Sequence, residues 1–136
     1  MSDGRPMTMF DLTERAMSAQ LVRMNAATSN LANAGSVSST EEGAYRPIRA
    51  VFTTELDRAS GLTSVTSSAL VRAETAPSKR YDPGHPLADG EGFVFEAGVD
   101  ESAEMVEIME SARQYQNMVQ ALQTAKQLML ETLRSK

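Results

Sequence analysis

The fold is decided by residues 101–135, which read ESAEMVEIMESARQYQNMVQALQTAKQLMLETLRS. Apolar or small side chains recur there every three or four residues, and one lysine interrupts the row. That period matches the turn of an α-helix and predicts one long helix with an apolar seam. Asp100 stands where it would cap the first turn. The predicted seam consists of Met105, Ile108, Ala112, Tyr115, Val119, Leu122, Lys126, Met129 and Leu133.

A second helix is predicted near the start of the chain, over about residues 8–33. Thr8 and Asp11 have the spacing of a capping box, and Gly35 follows where such a helix would stop. A hairpin of two helices hides only one stripe on each of them. The wider apolar face of the C-terminal helix therefore predicts contacts with other subunits.

The middle of the chain is richer in Ser, Thr and Gly, with short β signals at Ile48–Thr54, Leu70–Glu74 and Phe93–Phe95. Ala59–Ser68 is typical of a loop. We therefore predict a mainly α protein with a small β insertion. Long N- and C-terminal helices would pack as a coiled-coil-like hairpin, with short β-strands or hairpins between them. The predicted regions are an N-terminal helix region at 1–35, a β-rich and loop insertion at 36–100 and a C-terminal helix region at 101–136.

Composition argues against several classes of protein. The net charge of −5 disfavours nucleic acid as a partner, because no basic stripe exists to follow phosphates. The chain has no cysteine, which removes thiolate catalysis and cysteine-type zinc sites. No run of about 18 apolar residues predicts a bilayer span. The first 30 residues lack the pattern of a cleaved secretory signal peptide.

The sequence contains no convincing catalytic or metal-binding arrangement. The only histidine, His85, lies in a turn, and a single histidine without further nitrogen or thiolate ligands makes a poor metal site. Acidic side chains recur every three residues between Glu101 and Glu110, and this pattern favours a solvated helix face near the positive helix end. We therefore predict no enzymatic activity, no metal and no cofactor.

Two asparagines near the end of the first helix, Asn30 and Asn33, are poor residues for continuing a helix. They could cap the helix, because asparagine can tie down the free carbonyls there. They could instead form a polar latch whose amides bind a neighbouring chain. The residues by themselves favour the cap.

The segment Ser29-Asn30-Leu31-Ala32-Asn33 resembles the N-terminal signature of the bacterial flagellar rod and hook protein family. Within that family, the run Tyr81-Asp82-Pro83-Gly84-His85-Pro86-Leu87-Ala88-Asp89 is similar to the central motif of the proximal rod proteins. Glu104-Met105-Val106, Ser111–Gln116 and Thr124-Ala125-Lys126 are similar to their C-terminal helix. The resemblance covers nearly the whole chain, in the same order.

The resemblance implies a structural subunit of the proximal rod of the flagellar basal body, which would transmit torque for motility. It implies export by the flagellar type III apparatus without a cleaved signal peptide, and assembly in the periplasm. The implied partners are other rod proteins, copies of this chain and the region of the membrane ring and export gate. It also favours the latch over the cap, so Asn30, Leu31 and Asn33 join the seam as predicted subunit contacts. The implied structural turn comprises Tyr81, Asp82, Pro83, Gly84, His85 and Pro86.

Two alternatives stay open at this point. Another subunit of the rod and hook family would lack the Tyr81–Pro86 run or carry a longer insertion. A helical export chaperone or adaptor would form a stable free dimer and would not need the asparagine motif.

Overall fold

The computed structural model describes residues 6–135, so the outermost residues of the two predicted terminal regions, 1–5 and 136, lie outside the described residues. Two helices flank five strands along the chain. In order, the elements are α1 (Met9–Ala32), β1 (Val37–Ser38), β2 (Ile48–Asp57), β3 (Leu62–Arg72), β4 (Ser78–Tyr81), β5 (Phe93–Glu96) and α2 (Glu101–Arg134).

Both helices begin at the caps that the sequence predicts. The Thr8 hydroxyl accepts a hydrogen bond from the Asp11 amide at 3.2 Å, and the Asp11 carboxylate accepts one from the Thr8 amide at 3.0 Å. The Asp100 carboxylate accepts one from the amide of Ala103 at 3.2 Å. These bonds satisfy amides that have no partner inside the helix, and they confirm both predicted N-caps.

The end of α1 differs from expectation. Asn33 caps it with φ −102° and ψ 4°, and its amide donates to the carbonyls of Ser29 and Asn30. Gly35 does not adopt a positive φ, so its predicted role as the residue that stops the helix is wrong. The last turn closes without a left-handed residue.

α1 packs along α2 in the opposite direction. Arg23 pairs with Glu107, whereas Ala26 and Ala27, further along α1, lie at the same groove as Glu104, nearer the start of α2. Ala19, Ala26 and Ala27 are the buried apolar residues of α1. Small side chains at these positions let neighbouring elements approach the α1 backbone closely.

The predicted fold class is wrong in its β content. β2 and β3 form an antiparallel hairpin of 10 and 11 residues, and β1, β5 and β4 form a second, three-stranded antiparallel sheet in that order. About 45% of the chain is helical and 23% is strand, so the β part is not a small insertion of short strands. Within Ala59–Ser68, predicted as a loop, residues 59–61 do form the hairpin turn, but residues 62–68 belong to β3.

The hairpin explains why the β signal is weak. One face of β2 turns Ile48, Ala50 and Phe52 inward, but most of the described side chains of β3 are exposed, and Leu70 and Val71 are among them. A strand with few buried side chains does not need to alternate apolar and polar residues, so its sequence gives only a weak β signal. The hairpin turn closes at Gly61, whose φ of +73° is one that glycine adopts without strain.

The three-stranded sheet lies between the segment that follows α1 and the start of α2. β5 pairs with both β1 and β4, and its Val94 is fully buried. The Ala97 amide donates to the Ser36 carbonyl at 3.1 Å, which joins the exit of this sheet to the exit of α1. The sheet therefore fixes where α2 begins relative to where α1 ends.

Candidate functional site

Asn30 is completely buried and binds within its own chain. Its amide nitrogen donates to the Ile48 carbonyl at 2.9 Å, and its amide oxygen accepts from the Ile48 amide at 2.7 Å and from the Tyr45 hydroxyl at 2.9 Å. The side chain thus imitates one rung of a β ladder and fixes the first residue of β2 against α1. Sequence reasoning considered a cap or an intersubunit latch for Asn30 and missed this third arrangement.

Asn33 behaves as the cap interpretation describes. Its side-chain amide nitrogen donates to the Ser29 carbonyl at 2.8 Å, the same carbonyl that accepts the Asn33 backbone amide at 3.1 Å. The hydroxyls of Ser29 and Tyr45 lie 3.2 Å apart, which links this helix end to the Asn30 cluster. Leu31, the third predicted contact residue here, is half-buried.

The predicted seam of α2 divides into two groups. Ile108, Ala112, Tyr115, Val119 and Leu122 are half-buried, and α1 is the element against which α2 packs. The exposed group consists of Met105, Lys126, Met129 and Leu133.

The centre of the packed face is polar rather than apolar. Glu104 and Ser111 are the buried residues of α2, and the Ser111 hydroxyl donates to the Glu107 carbonyl at 2.7 Å. The face that meets α1 is therefore rotated slightly from the seam that the apolar pattern predicts. Nothing in the spacing of the apolar residues could have revealed this, because Glu104 and Ser111 carry polar side chains.

Several large apolar residues of α2 are exposed. They lie both near its start and over its last turns, and their exposed fractions run from 48% to 64%. No helix within residues 6–135 combines the length and apolarity that crossing a membrane requires. The exposed residues are Met105, Val106, Met109, Leu128, Met129, Leu130 and Leu133.

The predicted turn starts inside a strand. Tyr81 is the last residue of β4, and its ring meets the Phe93 ring edge-on at 5.2 Å between centroids. Pro83, Gly84 and Pro86 are exposed. The positive φ of this loop lies at Gly92, where an added Cβ would lie 2.9 Å from the Tyr81 ring. Gly92 thus allows the loop to close tightly over the Tyr81 ring.

Backbone bonds and two side chains hold this loop. The Nδ1 atom of His85 accepts from the Leu87 amide at 3.0 Å, which gives this histidine a structural position. The Asp82 carboxylate lies 3.6 Å from the Arg80 guanidinium. Asp89 takes the capping role, because its Oδ1 accepts from the amides of Glu91 and Phe93, both at 2.9 Å.

These bonds have an electrostatic consequence for Asp89. The Phe93 amide is the main cause that lowers the pKa of the Asp89 carboxyl below its ordinary value of 3.8, and the Glu91 amide and the Lys79 charge add to it. Lys79 lies 4.2 Å above the Phe93 ring, so a cation and an aromatic ring share this surface. The loop is best ordered while the Asp89 carboxyl is ionised.

Asp57, at the end of β2, binds the chain just before α1. Its carboxylate accepts from the Met7 amide at 2.9 Å and from the Ser60 hydroxyl at 2.7 Å. The Ser60 bond is the main cause that lowers the pKa of the Asp57 carboxyl, and the Met7 amide adds to it. The end of β2 therefore fixes the backbone at Met7, just before α1 begins.

We expect Asp57→Ala to loosen the segment around Met7, just before α1. The Met7 amide and the first turn should exchange with solvent several-fold faster in hydrogen-exchange measurements at neutral pH. Because the folded pKa is lowered, the contribution of this contact is present above the unfolded value near 3.8 and is lost as the pH falls below it. The wild-type chain should therefore approach the variant in acid. Asp89→Ala, in the loop between β4 and β5, serves as the control, and an equal effect of it at Met7 would contradict the assignment.

The predicted acidic face of α2 is partly buried. Glu104 is 1% exposed, and its Oε1 lies 2.6 Å from the Arg49 guanidinium of β2. Glu107 accepts from Arg23 of α1 through Nε at 2.8 Å and Nη2 at 2.6 Å. The expectation of a solvated face is therefore wrong for Glu104, which is buried and paired with Arg49 of β2.

Comparison with known proteins places these features in a family. Residues 91–135 match the family described as flagellar basal body rod FlgEFG protein, C-terminal. The chain is 42% identical over 129 residues to the flagellar basal-body rod protein FlgC of Salmonella typhimurium, covering 93% of this chain and 95% of that one. It is 37% identical over 127 residues to the protein of the same name from Escherichia coli O157:H7, with the same coverage. The Bacillus subtilis protein of that name is 27% identical over 140 residues, or 91% of this chain and 93% of that one.

Proposed function

The chain belongs to the FlgC family of flagellar basal-body rod proteins, and from that membership we propose how it works inside the rod. It is a structural subunit of the bacterial flagellar basal body and serves motility. It assembles with other flagellar rod components. Its mechanism is packing: side chains of the two terminal helices join neighbouring subunits, and torque passes through those contacts without any catalytic step.

The exposed apolar surface of α2 is the observation that carries this mechanism. Met105, Val106 and Met109 form one group on the early turns, and Leu128, Met129, Leu130 and Leu133 form another on the last turns. Soluble monomers rarely leave contiguous apolar patches of this kind uncovered. Neighbouring rod subunits would cover both groups and gain the free energy of burying them.

The finer assignment places this subunit in the proximal rod. The Tyr81–Pro86 run, which resembles the proximal rod proteins, supports it. The proposed partners are other rod proteins, further copies of this chain and the region of the membrane ring and export gate. We also propose that the chain is exported by the flagellar type III apparatus, without a cleaved signal peptide, and assembles in the periplasm.

The proposed contact residues differ in how they would act. Met105, Lys126, Met129 and Leu133 are exposed and would touch a neighbour directly. Asn30 is fully used inside the chain, so it would support the contact surface by holding β2 against α1. Leu31 and Asn33 lie at the helix end that this arrangement positions.

Deletion of the gene followed by isolation of basal bodies tests the function. We expect membrane rings without a rod in the deletion strain, and recovery of the rod when the wild-type chain is supplied in trans. Complete basal bodies in the absence of this chain would overturn the structural role.

We predict that Lys126→Glu impairs rod assembly, because it reverses the only charge in the seam at an exposed position. Swimming in soft agar and the yield of rods in isolated basal bodies measure the effect. Gln123→Glu, exposed on the same helix, is the matched control and should swim normally. Near-normal motility of Lys126→Glu would count against a contact at this position.

A further inference from the structure

The first turns of α2 bury polar side chains and expose apolar ones. Glu104 is 1% exposed and Ser111 is fully buried, whereas Met105, Val106 and Met109 have exposed fractions of 54% to 63%. An amphipathic helix usually turns its most apolar face toward its neighbours, because burial of apolar surface drives the packing. That force does not explain the orientation at this end of α2. Another interaction must therefore fix how the first turns are rotated about the helix axis.

A more apolar face lies close by in rotation. Glu104 and Ser111 are seven residues apart and lie on one line along the helix. Met105 and Ala112 lie on the next line, about 100° around the axis. Ile108 is close to both lines, so it can belong to either face. A turn of α2 by about half of that angle would therefore replace Glu104 by Met105 near the centre of the packed face, without any slide along the axis.

The later turns of α2 do not share this conflict. There the half-buried face carries Met118 and Ala125, whereas the neighbouring line carries Val119 and Lys126. The observed rotation is the more apolar of the two at this point, because it leaves the lysine exposed. The competition between the two faces is therefore confined to the first turns.

Arg49 of β2 offsets the burial of Glu104. Its guanidinium lies 2.6 Å from Oε1, a charge contact without the alignment of a hydrogen bond, and neither carboxylate oxygen accepts a hydrogen bond from residues 6–135. Removing one member of such a pair leaves a buried charge without compensation, which is strongly unfavourable. The pair of Arg23 with Glu107 differs, because both side chains are partly exposed and water can replace the lost partner.

We propose that the pair of Arg49 with Glu104 sets the rotation of the first turns of α2 and so keeps Met105 at the surface. Without Arg49, Glu104 turns toward water and Met105 takes its buried place. The adjoining groove of about 330 Å³ between α1, β2 and α2 leaves room for this movement.

Arg49 is thus a positioning residue for the exposed group on the early turns of α2. This inference rests on the proposed structural role only for the use of that group in assembly. The orientation of α2 itself is a property of the isolated chain and is tested there.

Oxidation of the native methionines measures the rotation without an added probe. The purified full-length chain is treated with dilute hydrogen peroxide, and peptide mass spectrometry gives the rate at each methionine. Burial slows this reaction, because peroxide must reach the sulfur. In Arg49→Gln we expect the rate at Met105, relative to Met129, to fall by about fivefold or more. Met129 is 49% exposed near the other end of α2 and serves as the internal reference.

Two further variants assign the effect to the buried charge. Arg23→Gln removes the neighbouring pair, but Glu107 is already partly exposed, so Met105 should keep its wild-type rate. Arg49→Gln combined with Glu104→Met removes the buried charge together with its partner. Nothing then forces α2 to rotate, and the wild-type rate should return. Circular dichroism verifies that each variant keeps the helical content of the wild-type chain.

Several results would overturn the proposal. They are an unchanged rate at Met105 in Arg49→Gln, an equal slowing in Arg23→Gln, and a slowing that persists in the double variant. Loss of helical content in Arg49→Gln would also overturn it, because the pair would then be needed for folding and not for orientation. None of these measurements involves assembly, so their outcome is independent of the deletion experiment that tests the rod function.

Discussion

Asn30→Ala should destabilise the folded chain by about 2–4 kcal/mol, which is a large effect for one side chain. The substitution removes three hydrogen bonds in a fully buried place. It takes the side-chain acceptor from the Ile48 amide, and it leaves the Ile48 carbonyl only a long contact of 3.5 Å with Arg49 and the Tyr45 hydroxyl only its contact of 3.2 Å with Ser29. A buried polar group that loses its partner retains the full cost of its lost hydration. Urea unfolding followed by helical circular dichroism measures the change in the free energy of unfolding.

Two further variants make the Asn30 result interpretable. Asn25→Ala, exposed on the same helix, should change the free energy by no more than about 0.5 kcal/mol. Asn30→Asp keeps an acceptor for Ile48 and Tyr45 but loses the donor to the Ile48 carbonyl, so an intermediate loss is expected. If Asn30→Ala unfolds at the same urea concentration as Asn25→Ala, the Asn30 cluster does not hold β2.

Ser111→Leu should be the second severe substitution, with an expected loss of about 2–3 kcal/mol. Ser111 is fully buried on the face of α2 that meets α1. A leucine there needs volume that closely packed helices do not leave, so the helices must separate or adopt strained rotamers. The same unfolding measurement applies.

The conservative change at the same position separates volume from polarity. Ser111→Ala removes only the bond to the Glu107 carbonyl within the same helix and improves helix propensity. It should therefore stay within about 0.5 kcal/mol of the wild-type chain. A loss in Ser111→Ala as large as that in Ser111→Leu would show that the hydroxyl, and not the space, is critical.

The helices were predictable because their causes are local. Thr8 with Asp11, and Asp100 with Ala103, interact over three residues, and the period of α2 repeats over the whole segment. The family resemblance also rests on local runs, of which the Tyr81–Pro86 run is the most specific. Local chemistry of this kind acts in the same way whatever the rest of the chain does.

The strands were harder to predict for a physical reason. β3 lies mostly exposed on a two-stranded hairpin, so its sequence does not need to alternate apolar and polar residues, and its serines resemble a loop. The capping role of Asp89, the positive φ at Gly92 and the position of His85 depend on how the loop after β4 returns to β5. Composition can indicate such a turn without indicating which of its residues carries each role.

The sequence by itself determined two terminal helices, their N-caps, surplus apolar surface on α2 and membership of a flagellar rod family. Only the tertiary structure decided what Asn30 and Glu104 do. Asn30 binds a residue 18 positions away, and Glu104 meets Arg49 across 55 positions. Neither pairing has a periodic signature, because each depends on how β2 lies against α1 and reaches the start of α2 through Arg49. That packing buries the two polar side chains, and a buried polar group must find a partner because its lost hydration is otherwise not compensated.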